Sequence, residues 1–158
     1  MNPLDIIAKY YPVGSEAYRI LVIHSRSVAD KALAIARMHP EMNLDLTFVE
    51  EAAMLHDIGI FRCNAPDIDC HGDAEYICHG YLGAELMRAE GYPRHARVCE
   101  RHTGTGITLA MIEERGLPLP HRDFMPETLE EQLICYADKF YSKTKLDKDF
   151  SLSSFVLL

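Results

Sequence analysis

Residues 53–61 read AMLHDIGIF, Ala53 to Phe61, an apolar run interrupted by a histidine and an aspartate side by side, His56 and Asp57. Burying a carboxylate is costly unless it is paired or bound to a metal. The run therefore demands a partner for Asp57, and other parts of the chain must bring it in.

Working outward, the pattern is helical on both sides. DLTFVEEAAMLHDIG (Asp45–Gly59) is predicted as a helix with Asp45 or Thr47 as its cap and Gly59 as its end. Phe48, Ala52 and Leu55 mark its inner face, with His56 beside them. Upstream, SEAYRILVIHSRSVADKALAIARMH (Ser15–His39) reads as a long amphipathic helix, capped by Ser15 and stopped before Pro40. Ala17, Ile20, Leu21, Val28, Ala32 and Ile35 form its apolar face, and His24 falls on it. PLDIIAKYY (Pro3–Tyr11) is a short opening helix ended by Pro12.

Downstream, FRCNAPDIDCHGDAE (Phe61–Glu75) is rich in turn formers and long enough to be a functional loop. EYICHGYLGAELMRAEGYP (Glu75–Pro93) resumes a helix, with His79, Leu82, Gly83 and Leu86 on one face. PRHARVCERHTGTG (Pro93–Gly106) gives a short helix broken by Gly104 and Gly106, with His102 in its last turn. TLAMIEERGLPLPHRDFMP (Thr108–Pro126) is a helix and a proline-rich loop, and TLEEQLICYADKFYSK (Thr128–Lys143) is a last helix capped at Thr128. No segment shows the sustained alternation of a half-buried strand. The expected fold class is all-α: one domain of roughly six to eight packed helices. Its motif-bearing core runs over about residues 15–142, with an apolar C-terminal tail at 147–158.

Composition sets the class of partner. Apolar residues make up 48% and charged residues 25% of 158, as in an ordinary soluble globular domain. No apolar run is long enough to span a membrane. MNPLDIIAKYYP lacks the features of a signal peptide, so a cytoplasmic protein without membrane attachment is expected. The net charge of −8 argues against a nucleic-acid polymer as partner. It leaves room for a small phosphorylated metabolite or nucleotide, because bound cations reverse the local field. The tail residues FVLL hint at a homo-oligomer interface. The five cysteines include no CxxC and are expected to be free thiols. Cys63, Cys70, His71 and Cys78 match no common zinc module. His95 reads as a core or surface residue, and His39 as a helix-end residue facing the terminal carbonyls.

Six residues in helical context remain, in the order H…HD…H…H…D: His24, His56, Asp57, His79, His102 and Asp138 in CYADKF. Taken singly, a histidine on an apolar face is usually a core residue with one hydrogen bond, and an aspartate pairs with an arginine, here Arg19 or Arg26. Four such histidines and two such aspartates, without a matching set of apolar-flanked arginines, make an expensive core unless cations fill it. Imidazole and carboxylate together suit zinc, manganese, iron or cobalt better than magnesium or calcium.

The order and wording of VIHSRSVADKALAIA, AAMLHDIGIF, ICHGYLGAELM, CERHTGTG and CYADKF resemble the HD superfamily of metal-dependent phosphohydrolases, nearest to small stand-alone HD proteins and more distantly to HD-GYP phosphodiesterases. The resemblance implies that His24, His56, Asp57 and Asp138 hold a first metal, and that Asp57 bridges to a second held by His79 and His102. It implies two divalent transition-metal ions, iron or manganese ahead of zinc, cobalt or nickel. A metal-bound water is then the nucleophile against a phosphoester or phosphoanhydride. Arg26, Arg62, Thr103 and Lys139 are candidate phosphate contacts. Relatives with this ligand set also include di-iron oxygenases acting on small polyols or phosphonates, and a metal-filled nucleotide-binding module without turnover is a third reading. The chain departs from HD-GYP proteins in three places. Ile60 stands where they carry lysine, Arg101-His102 replaces a double histidine, and EGYP (Glu90–Pro93) precedes His102.

Overall fold

The computed structural model describes residues 1–149. Seven α-helices are present among them: α1 (Pro3–Tyr10), α2 (Glu16–Met38), α3 (Leu46–Leu55), α4 (His79–Ala89), α5 (Pro93–Glu100), α6 (Leu109–Arg115) and α7 (Leu129–Asp138). The fold is all-α, as the periodicity predicts. The apolar tail from 150 onward lies outside the described residues.

Helix starts follow the capping signals. The Ser15 hydroxyl accepts the Tyr18 N–H, and Asp45, rather than Thr47, caps α3 by accepting the Phe48 N–H. Thr128 and Glu131 close a reciprocal capping box at α7. Along α2 the buried positions Ala17, Ile20, Leu21, His24, Val28, Ala32 and Ala36 recur every three to four residues.

Those positions serve two different apolar clusters. Ile20 and Leu21 pack with Ile7, Tyr11, Leu55, Ile58, Ala84 and Met87. Val28, Ala29 and Ala32 pack with Phe48, Val49, Ala52, Val98 and Ile134. His24 falls between the two sets on α2. His56 and Asp57 fall at the same seam, with Ala52 to Met54 in one cluster and Leu55 and Ile58 in the other. The apolar halves of the core thus enclose a polar layer.

Five expectations need correction. The HD doublet does not lie within a helix: α3 ends at Leu55, and a 3-10 segment, Ile58–Arg62, follows. Tyr11, just beyond α1, holds that segment by donating its hydroxyl to the Ile58 carbonyl (2.7 Å) and accepting the Phe61 N–H (3.0 Å). Gly59 is required by close approach rather than as a helix end. A Cβ there would overlap the His79 carbonyl oxygen and the Gly83 nitrogen of α4. His102 lies past the end of α5, which stops at Glu100. The turn-rich stretch contains a minimal antiparallel hairpin, β1 (Asn64–Ala65) with β2 (Cys70–His71), whose strands are too short for alternation to show. The helix read from Glu75 begins as a 3-10 turn, Tyr76–Cys78, ahead of α4.

Candidate metal centre

Five elements deliver the six residues. His24 comes from the middle of α2, His56 and Asp57 from the turn after α3, and His79 from the first residue of α4. His102 follows α5, and Asp138 is the last residue of α7. Their ligand atoms fall into two groups, each with atoms within 4.8 Å of one another: His24, His56, Asp57 and Asp138, and Asp57, His79 and His102. Asp57 belongs to both.

The two Asp57 oxygens face opposite groups. Oδ2 lies 3.2 Å from the Nε2 atoms of His24 and His56, which also lie 3.0 and 3.2 Å from Asp138 Oδ1. Oδ1 lies 3.2 Å from His79 Nε2 and 3.1 Å from His102 Nε2. Asp57, His56 and His24 are buried, as are His79 and His102.

Hydrogen bonding on the far side of the rings fixes which nitrogen is free. Nδ1 of His56 lies 2.6 Å from the Ala53 carbonyl, Nδ1 of His79 lies 2.6 Å from that of Tyr76, and Nδ1 of His102 lies 2.7 Å from that of Cys99. A carbonyl only accepts, so each Nδ1 carries a proton and each ring turns its Nε2 inward, a lone pair wherever the ring is neutral. Nε2 of His79 and His102 then meet at 3.0 Å as two acceptors. Asp57 Oδ1 has no hydrogen-bond donor, although it is buried. Acceptors crowding acceptors in a dry interior are unfavourable unless a cation lies among them. Ligand atoms around an ion at about 2.1 Å stand about 3.0 Å apart at right angles, matching the observed spacings. The buried cluster therefore suits divalent metal binding.

One further cation reaches the cluster. Lys143 Nζ donates to Asp57 Oδ2 at 2.7 Å, and its side chain is largely buried. Burial opposes the charged form of Asp57, but the charges of His56 and Lys143 outweigh it, holding the carboxyl well below its usual range. Asp138 is held down in the same sense, against burial, by His24 and His56. Burial also opposes a charged His56, yet Asp57 and Asp138 push its pKa up to about 10. In the metal-free chain a proton on His56 thus sits where the carboxylates would face a cation. His102 is driven the other way, to about 4, chiefly by burial.

Tyr76 stacks on His79 with ring centroids 4.3 Å apart. A cavity of about 280 Å³ opens on the cluster, lined by residues that include His79, His102, Thr103, Asp138, Lys139 and Lys143. Thr103 and Lys139, named from sequence, thus border the site. The Lys139 ammonium donates to the carbonyls of His102 (2.9 Å) and Cys135 (3.0 Å), tying α7 to the loop that bears His102. Arg26 pairs with Asp30 and Glu50, and Arg62 is exposed; neither lines that cavity. Ile60 is fully buried in the apolar core.

The arginine partners considered for the aspartates lie elsewhere: Arg19 pairs with Glu16, and Asp57 takes Lys143 instead. Nothing in YSKTKLDKD separates Lys143 from its solvated neighbours, so the sequence carries no signal for it. His95 meets Glu51 at 2.9 Å, and the His39 side chain meets Glu41 rather than the helix carbonyls. All five thiols are buried and free, and Cys63 and Cys70 are pushed up to about 11 by burial. Among the described residues Cys63, Cys70, His71 and Cys78 form no group of coordinating atoms.

A family model described as HD domain matches residues 21–142. A Thermoplasma volcanium protein named tRNA (cytidine(56)-2'-O)-methyltransferase is 34% identical over 143 residues, covering 90% of this chain and 36% of that protein. Uncharacterized protein MJ0778 of Methanocaldococcus jannaschii is 37% identical over 128 residues, covering 79% of this chain and 68% of its own length. A Picrophilus torridus protein bearing the same methyltransferase name is 32% identical over 128 residues, covering 80% of this chain and 33% of that protein. The chain spans about a third of the methyltransferase-named relatives it matches. No solved structure matches it significantly. Among the described residues no helix is long and apolar enough to cross a membrane.

Proposed function

Starting from the HD domain family, to which this chain belongs, we propose that its buried centre hydrolyses a phosphoester or phosphoanhydride of a small metabolite or nucleotide with the help of two divalent metal ions. One observation carries the reading: two sets of inward-facing acceptors share the single carboxylate of Asp57.

His24, His56, Asp57 and Asp138 would hold one ion, and Asp57, His79 and His102 the other, with iron or manganese favoured by the mixed imidazole and carboxylate donors. Bound there, the ions would lower the pKa of a coordinated water and offset charge on a phosphate under attack. The chain's own contributions are positional. Carbonyls of Ala53, Tyr76 and Cys99 hold three rings in the tautomer that offers Nε2. Lys139 anchors the His102 loop. The apolar clusters on either side exclude water and strengthen every charge interaction between them.

Methyl transfer is not carried over from the relatives named for it. The shared segment is about a third of those proteins, and attack on a methyl group needs no such convergence of acceptors. The net charge of −8 supports a small ligand over a polymer.

The test is phosphate release by purified protein reconstituted with manganese or iron, across nucleotides and small phosphomonoesters, with oxygen uptake followed in parallel. Metal-dependent phosphate release, lost on chelation, supports hydrolysis. Oxygen uptake without phosphate release would replace it by the oxygenase reading, and tight nucleotide binding without product by the binding-module reading.

A further inference from the structure

Lys143 is out of place if its only task is to neutralise Asp57. With two dications on its carboxylate, Asp57 would need no further positive charge, and the Lys143 ammonium, 2.7 Å from it, would be repelled by those ions. The arrangement becomes favourable when an anion enters among them. Lys143 also lines more than one cavity beside the centre. It lines the cavity of about 280 Å³ over the His79 and His102 side of the centre. It equally lines a larger one, of about 540 Å³, between Tyr76, the hairpin residues Asn64 and Asp67, and Thr144. Tyr76, Asp138 and Tyr141 line both with it.

An ammonium has three donors. Asp57 Oδ2 takes one, and the Tyr76 ring lies with its centroid 5.6 Å from Nζ. At least one donor is left for a ligand in these cavities.

We propose that Lys143 is the phosphate-binding residue of this centre: anchored on Asp57, it donates to a phosphate oxygen of the substrate, whose organic part occupies the cavity of about 540 Å³. The assignment rests on the hydrolase reading and adds to it a phosphate contact that neither Arg26 nor Arg62 is placed to make. The substrate class that goes with this assignment is a phosphate ester with a small organic group, for which the larger cavity has room.

The probe is inorganic phosphate, titrated calorimetrically into the full chain loaded with manganese. Lys143→Met is expected to keep the metal content of the wild type and to bind phosphate about 10- to 100-fold more weakly, the loss of one charge-assisted hydrogen bond. Lys143→Arg should retain most of the affinity. In turnover, the Met variant should raise KM for the phosphate ester more than it lowers kcat. A second measurement needs no Lys143→Met protein. In zinc-loaded chain with 13C-labelled lysines, the ε-methylene signal of Lys143, assigned through Lys143→Arg, should shift on adding phosphate while those of Lys145 and Lys148 stay. Unchanged phosphate affinity in a metal-replete Met variant, loss of metal from that variant, or an unmoved Lys143 signal would overturn the assignment and leave the hydrolase reading intact. If the metal-loaded wild type binds no phosphate at all, both fall together.

Discussion

The molecule buries carboxylates in two ways. Glu100 and Glu131 are closed by donors. Arg88 reaches one oxygen of Glu100 and Arg122 the other, at 2.6 Å. Glu131 takes Arg97 at 2.8 Å and the N–H groups of Glu127 and Thr128. At Asp57 the N–H groups of His79 and His102 face away, so acceptor meets acceptor at Oδ1, which has no donor, while Oδ2 takes Lys143. A carboxylate ringed by arginine and amide donors is a finished structural device. One ringed by lone pairs is finished only by something that binds. Arginine cannot lose its proton and so closes a site, whereas neutral imidazole leaves it open to a cation.

The sharpest break between the two kinds should come at Asp57. Asp57→Ala should abolish binding of both ions, because one carboxylate serves both groups, and elemental analysis of the reconstituted variant would expose a wild-type content. The same change leaves Lys143 buried without its partner, which should cost about 3–5 kcal/mol in the metal-free protein, read from denaturant unfolding. His79→Ala should be milder. It touches only the second group, so metal content should fall from two ions to about one, and equal loss of both would contradict the division.

A third expectation concerns pH. His56, raised to about 10 in the metal-free chain, is protonated at pH 8, whereas His102, lowered to about 4, is already neutral. Metal uptake should therefore displace the His56 proton. Apparent affinity should rise about tenfold per pH unit for that proton up to about pH 10, and weaken as pH falls. Calorimetry in two buffers of different ionisation heat would measure the proton; no release would contradict the assignment.

On the closed side the effects should fall on stability alone. Glu100→Ala removes the partner of two arginines that are themselves about two-fifths exposed. The loss, reduced by solvent screening, should be about 1–3 kcal/mol with metal content unchanged. Smallest of all, Thr128→Ala opens the capping box next to Glu131 and should cost about 1 kcal/mol in thermal unfolding, again at full metal content.

Much of this was readable from residues in order. The long second helix is legible from Ser15 to His39 and forms as Glu16–Met38 with the Ser15 cap, because its apolar period runs unbroken for six turns. The six His and Asp residues are legible from their order and from the apolar surroundings of most of them, and the structure brings them together. What escaped has identifiable causes. The doublet at 56–57 lies in a turn rather than a helix because Tyr11, fifty residues before Phe61 and invisible in any local pattern, captures the following backbone. The hairpin at 64–71 has two residues per strand, below the length at which alternation exists. Lys143 sits in a stretch of lysines that local sequence cannot tell apart, and only the chain's path after α7 turns this one inward. An arginine partner, the alternative weighed for the aspartates, is what Glu100 and Glu131 have; Asp57 takes Lys143, because what surrounds a buried carboxylate is set by tertiary neighbours.

The most direct measurement is a crystal structure of the full chain grown with manganese, with data collected at the manganese edge. Two anomalous peaks are expected, one on each side of the Asp57 carboxylate, within bonding distance of Nε2 of His24 and His56 and of Nε2 of His79 and His102 respectively. A map with no anomalous peak at Asp57, the six side chains in place, would contradict the reading of this cluster as a shared metal centre.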